Sequence, residues 1–148
     1  MFLWKFLLIF SSFCWLDTSN SKKPYRWVLL RHIGAPDDLR GIHFDLLLED
    51  NNFCRTWRLR QIPLLNGPYV SSVSIAPHNL EWLDIKEKIV SGNRGLATRI
   101  KHGVFFKSLP SIKNSSINLL LQWEDVEAIL LIDKNGCRVS EINSNFWV

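Results

Sequence analysis

The 148-residue chain predicts a mainly β fold, an antiparallel β-barrel with one or two short flanking helices. Three observations carry that prediction. Short runs rich in β-branched and aromatic residues recur along the chain. Clusters of Gly, Pro, Asn and Asp interrupt them at short intervals. Finally, Asp133-Lys134-Asn135-Gly136 joins two apolar runs as a tight hairpin does.

Residues 2–16 form an apolar run broken by Lys5 and two serines, shorter than the roughly 20 residues a spanning helix needs. It reads either as a signal or membrane anchor, or as an extension without function arising from an upstream start. Residues 17–24 are polar, end in Pro24 and form a linker. The domain is then expected over 25–148. Tyr25 to His32 is the first strand, and a glycine- and proline-bearing loop follows from Ile33 to Gly41. Ile42 to Glu49 is the central strand, and it turns through Asp50-Asn51-Asn52 into an antiparallel partner, Phe53 to Arg60.

Tyr69 to Ala76 is a further strand, and Pro77-His78-Asn79 forms a turn. Periodicity leaves Leu80 to Asp84 and Lys86 to Val90 open between strands and one short helix. Ser91 to Gly95 is a glycine-bounded turn. Leu96 to Ile100 and Val104 to Phe106 read as a hairpin through His102-Gly103. Ile117 to Trp123 is strand or helix, and a last hairpin pairs Ala128–Ile132 with Cys137–Ile142.

The hydrophobic fraction of 47% excludes a disordered chain. The net charge of +4 suggests a polyanionic partner, but Lys5, Lys22, Lys23 and Arg26 against Asp17 place most of that excess in the first 26 residues. Local clusters are more informative: Arg55, Arg58 and Arg60, then Arg94, Arg99 and Lys101. Cys14, Cys54 and Cys137 have neither pairing nor metal spacing, so buried thiols in a reducing, cytoplasmic setting are the expectation. Export or anchoring by residues 2–16 is the alternative.

Alternation in a strand puts His43, Asp45, Leu47 and Glu49 on one face of the central run, and Ile42, Phe44, Leu46 and Leu48 on the other. A His-x-Asp pair joined by a distant His offers mixed nitrogen and oxygen ligands with open positions, the layout of a catalytic metal site. Such a pair also occurs as a plain hydrogen-bonded couple. His102 reads as an ordinary turn residue. The arginine trio reads as a solvated face, although Arg58 and Arg60 share a side and suit phosphate.

The order of these pieces resembles the 3′-phosphoesterase domain of bacterial DNA ligase D and its stand-alone relatives. The blocks are Leu30-Arg31-His32, then His43-Phe44-Asp45-Leu46-Leu47-Leu48-Glu49, Thr56-Trp57, Pro77-His78-Asn79-Leu80-Glu81-Trp82-Leu83-Asp84, and Gly92-Asn93-Arg94-Gly95. The resemblance is clearest over 25–106. It implies a β-barrel enzyme that depends on Mn, with Zn or Co as alternatives, and that trims 3′ ends of DNA during repair beside a ligase or polymerase of an end-joining pathway. It assigns metal binding to His32, His43 and Asp45, and phosphate contact and catalysis to His78 and the residue at Trp82.

Two positions depart from the family pattern. Leu47 stands where the family has a phosphate-binding arginine, and Trp82 where it has tyrosine. Neither replacement offers a phosphate the same donor. A substitute cation is sought in Arg31, Arg40, Arg58 or Arg94, with Arg58 and Arg94 as the named phosphate-binding residues. The loop before His43 is longer than in the ligase-fused domains. Three functions follow as expectations: an active phosphoesterase, a weakened relative that holds DNA ends or a repair partner, and a β-domain whose His–Asp pair is structural.

Overall fold

The structure is a computed structural model that describes residues 23–142; the readings of residues 1–22 lie outside it. The chain forms strands β1 (Tyr25–Ile33), β2 (Ile42–Asp50), β3 (Phe53–Leu59) and β4 (Ser72–His78), then a 3-10 turn (Leu80–Leu83). Strands β5 (Glu87–Ile89), β6 (Leu96–Phe105), β7 (Ile117–Trp123), β8 (Val126–Asp133) and β9 (Gly136–Glu141) follow. One antiparallel sheet runs β4-β3-β2-β1-β6-β7-β8-β9, with β5 pairing to β6 off that path. It curls into a half-barrel. The segment before β4 reaches the far edge through two isolated bridges, Leu65 to Val139 and Val70 to Cys137.

The mainly β architecture is the expected one, but the flanking helices reduce, among the described residues, to a single 3-10 turn. Four residues of 3-10 geometry fit a connector that only has to drop Leu83 into the core. The second correction is β6. His102 and Gly103 are not a turn; they lie inside one ten-residue strand. The reason is tertiary. A Cβ at Gly103 would stand 2.7 Å from Trp27 Nε1 and 2.6 Å from the Gln122 carbonyl oxygen, and that indole N–H donates to the same carbonyl at 3.1 Å. Glycine is there so that the Trp27 indole can cross the strand.

β1 and β2 are buried on both faces, which is why their alternation is apolar against apolar over most of their length. Trp27, Leu29, Leu46 and Leu48 face the interior of the half-barrel, where Trp27 stacks on Trp123 with centroids 4.9 Å apart. On the opposite face Val28, Leu30, Leu47, Cys54 and Leu83 form a smaller cluster, with Leu80 and Trp82 packed on it. This second core lies under the 3-10 turn. Arg26 helps to fix that turn by donating to Asp84 at 2.7 Å.

Cys54 and Cys137 are free and buried, and burial pushes both thiols up to about 12. They act as small apolar side chains. Among the described residues no helix is long and apolar enough to cross a membrane.

Candidate metal centre

The site grows out of the register between β1 and β2. His32 pairs directly with His43, and Asp45 pairs with Leu30. Side chains two apart on β2 share a face, so His43 and Asp45 emerge beside each other and His32 comes in from the neighbouring strand. Their donor atoms all lie within 4.8 Å of one another, and the imidazole rings of His32 and His43 meet edge to face at 4.8 Å. His43 Nε2 lies 3.5 Å from Asp45 Oδ2. Bonds of about 2.0–2.2 Å around a tetrahedral ion put neighbouring donors about 3.3–3.6 Å apart; His43 and Asp45 already have that spacing, and the wider separations of the set, up to 4.8 Å, must contract for all three to share one ion. Each imidazole is anchored through its other nitrogen.

For His43 that anchor is Asp38, whose Oδ2 accepts from Nδ1–H at 2.7 Å. Asp38 in turn accepts the Arg40 backbone N–H at 3.0 Å, in a loop closed by the Gly34 N–H to Gly41 carbonyl bond. Holding Nδ1 this way fixes the tautomer and aims the other nitrogen at the centre, the usual support of a metal-binding histidine. His43 Nε2 is buried and has no hydrogen-bond partner. A polar nitrogen left without a partner in the interior is costly and fits an ion. For His32 the anchor is the Arg94 carbonyl, which accepts from Nε2–H at 2.6 Å and leaves Nδ1 as its donor. Gly95 permits that approach: its φ is +89°, and a Cβ there would stand 2.0 Å from the Ile33 carbonyl oxygen.

Charge reinforces this geometry. Burial opposes protonation of His43, yet the neighbouring carboxylates of Asp45 and Asp38 outweigh it and raise its pKa above the ordinary value. Burial likewise disfavours ionised Asp45, but His43 and Arg58 hold its carboxyl below the usual range. Asp38 is lowered chiefly by its bond to His43. These shifts all favour the charged forms, so a metal ion at His43 would compete with a proton for the same nitrogen.

Arg58 is the cross-strand partner of Asp45. Its Nε donates to Asp45 Oδ1 and its Nη1 to Asp37 Oδ2, both at 3.2 Å. A cleft of about 480 Å³ opens over these groups. His32, Asp45, Arg58, His78, Trp82 and Arg94 all line it, and His43 supports its edge from beside Asp45.

β4 runs Ser72–His78, two residues beyond the expected end at Ala76, so His78 is the last residue of a strand rather than part of a turn, and it pairs with Cys54. Its Nδ1 lies 2.9 Å from Thr56 Oγ1. That hydroxyl donates to the Cys54 carbonyl at 3.1 Å, so the imidazole N–H must donate to it, and Nε2 carries the lone pair. Burial pushes the His78 pKa below its ordinary value, which keeps the ring neutral. Trp82 stands edge to face with His78 at 5.9 Å, with Lys88 Nζ 5.4 Å from its ring centroid.

Thus the residues named from sequence, His32, His43, Asp45, His78, Trp82, Arg58 and Arg94, are brought to one place. Others are not. Leu47 has 0% exposure within the second core. Glu49 accepts the Arg26 backbone N–H at 2.7 Å, away from the cleft. Arg55 is structural: it pairs with Asp50 at 2.7 Å and caps the Pro110 carbonyl. Arg31 falls on the face of β1 opposite His32. Asp38 belongs to no motif in the sequence; its only signal is an acid five residues before the histidine in a glycine-bounded loop. No family model matches the chain, and no curated protein matches it in sequence.

Proposed function

We propose that this cleft is the active centre of a divalent-metal-dependent phosphoesterase that processes 3′ ends of DNA, removing a terminal phosphate or ribonucleoside. The observation that carries the reading is a His32–His43–Asp45 donor set beside a cleft that His32, Asp45, a neutral histidine and two guanidiniums line. Two nitrogens and a carboxylate suit Mn, with Zn and Co close behind. When bound, the ion supplies Lewis-acid polarisation of a phosphoryl oxygen.

The chain's own residues do the rest. Asp38 and the Arg94 carbonyl hold the two imidazoles in the tautomers that present a lone pair. His78, neutral and fixed through Thr56, accepts a proton at Nε2 or returns one to a leaving oxygen. Arg58 stands where a guanidinium can meet phosphate oxygens, and so replaces across the sheet the cation that Leu47 does not provide. Arg94, folded on Ser91 through a 2.7 Å bond to its carbonyl, contributes a second positive charge. Trp82 closes the side wall beside His78. In this reading the partner is a DNA end, delivered to or from a ligase or polymerase of end joining in the cytoplasm.

The deciding experiment incubates the protein with Mn and a primer ending in 3′-phosphate. Release of phosphate, abolished by His43→Ala and His78→Ala, is the expected result. Failure to release it under conditions where a ligase D phosphoesterase domain works ends the enzymatic reading. One observation favours a second reading, a weakened relative that holds DNA ends. Leu47 is fully buried, so the position of the family's arginine reaches no substrate. That reading predicts salt-sensitive DNA binding without turnover.

A further inference from the structure

Beside the metal cleft lies a second groove of about 320 Å³. Asp37, Arg58 and Ile75 line both, so the two form one trough with the Arg58 side chain as the sill between them. Three guanidiniums face this outer reach: Arg58, Arg60 and Arg40. Arg58 lies in β3 and Arg60 one residue past its end, a step of about 6.6–6.8 Å where the chain is extended. Arg40 comes from the loop before β2.

The two outer arginines differ from Arg58. Both are exposed, and neither side chain has a carboxylate partner among the described residues. The acids nearby are engaged: Asp38 accepts from His43 and from the Arg40 backbone, and Asp37 accepts from Arg58. Ile42 and Val73, 47% and 63% exposed, flank the arginines with apolar surface. Several cations on one groove that adjoins the donor set through His43, with apolar surface beside them, match a strand whose phosphates repeat while its sugars and bases lie between.

We propose that this groove seats the phosphodiester backbone next to the reacting terminus, through Arg40 and Arg60. The protein then engages a nucleic-acid strand of several nucleotides rather than a mononucleotide, without reading its sequence. The inference rests on the metal cleft being the place where a terminal phosphate reacts.

The test compares the full chain with an Arg40→Gln/Arg60→Gln variant and with its Arg40→Lys/Arg60→Lys counterpart. Binding of a fluorescent 3′-phosphorylated hexanucleotide is followed by anisotropy in EDTA over a range of salt, for two unrelated sequences. The glutamine variant is expected to bind about tenfold more weakly at low salt and equally so for both sequences. Its log–log salt slope should fall by about 1.4, from roughly 0.7 per lost single-strand contact. The lysine variant keeps most of the slope. Mn affinity and hydrolysis of p-nitrophenyl phosphate stay at wild-type level in both.

Equal hexanucleotide affinity and slope in wild type and glutamine variant overturn the proposal, as does a wild type that binds no hexanucleotide. The outcomes also separate the two claims. Ester hydrolysis with no arginine effect removes the groove and leaves the metal-cleft reading intact. Arginine-dependent strand binding with no Mn-dependent turnover keeps the groove and removes the enzyme.

Discussion

Asp38 Oδ2 stands 2.7 Å from His43 Nδ1, and this one bond couples the loop before β2 to the buried imidazole at the centre of the site. Removing it frees the ring to turn and exposes the wrong nitrogen. Asp38→Ala is therefore expected to lower Mn affinity by about 10–100-fold, the range for partners of metal-binding histidines, while the fold is retained. Asp38→Asn, which keeps an acceptor and loses the charge, should fall between. Titration calorimetry reads both, and an unchanged affinity in Asp38→Ala removes the positioning role.

The pH dependence has a definite sign. The His43 pKa is raised above 6.5 in the folded state, so its stabilisation is fully present below pH 6.5 and is lost as pH rises through the folded value. An ion needs the same nitrogen deprotonated. Over that window the metal-free Tm should fall while the increment given by excess Mn grows, and His43→Gln should flatten both trends. Burial lowers the His78 pKa, so its own contribution rises with pH up to 6.5 and does not mimic the loss. Asp38 and Asp45, both below 3.8, contribute stability present above 3.8 and lost as pH falls through their folded values.

Placing at position 47 the arginine of the phosphoesterase pattern that the sequence resembles is expected to fail. Leu47 has 0% exposure and packs with Val28, Leu30, Cys54 and Leu83, so Leu47→Arg places an unpaired charge in an apolar cluster. A cost of about 3–5 kcal/mol is expected, the scale for an uncompensated buried charge, measured by urea unfolding. A folded Leu47→Arg protein with faster 3′-phosphate release contradicts this account.

Arg58 is the better target. Arg58→Gln removes the guanidinium beside Asp45, and a loss of about 10²–10³ in turnover is expected for one preorganised donor to a reacting oxyanion. Mn affinity should change far less. Equal losses in turnover and metal binding make Arg58 a support of Asp45 alone.

Much of the fold is legible in the sequence where one element explains itself. The β2–β3 and β8–β9 hairpins announce themselves through Asn- and Gly-bearing turns between apolar runs, and Asn51 and Gly136 do take positive φ, 56° and 120°. His32, His43 and Asp45 are legible because strand alternation and one hairpin register bring them together. The continuity of β6 is not, because Gly103 answers to Trp27, which lies 76 positions earlier in the chain. Asp38 is hidden for a similar reason: its role follows from how the loop folds back, which no period encodes. Leu47 shows a third limit. Its face is shared with the ligands, yet within one step along β2 that face passes from cleft to core.

The cleft is built from strands of unequal standing in the sheet. β1 is held on both sides, by β2 and β6, whereas β4 pairs only with β3 along its length and carries mostly exposed side chains. The ion donors therefore sit on a stiff wall and His78 on a soft one. Hydrogen exchange should show amides of β1 and β2 opening only with the whole molecule and outer amides of β4 opening by local fraying. Whatever lies along that outer edge can shift the histidine while the donors stay still; under the proposed function the grip on the phosphate is then adjustable and the grip on the ion is not.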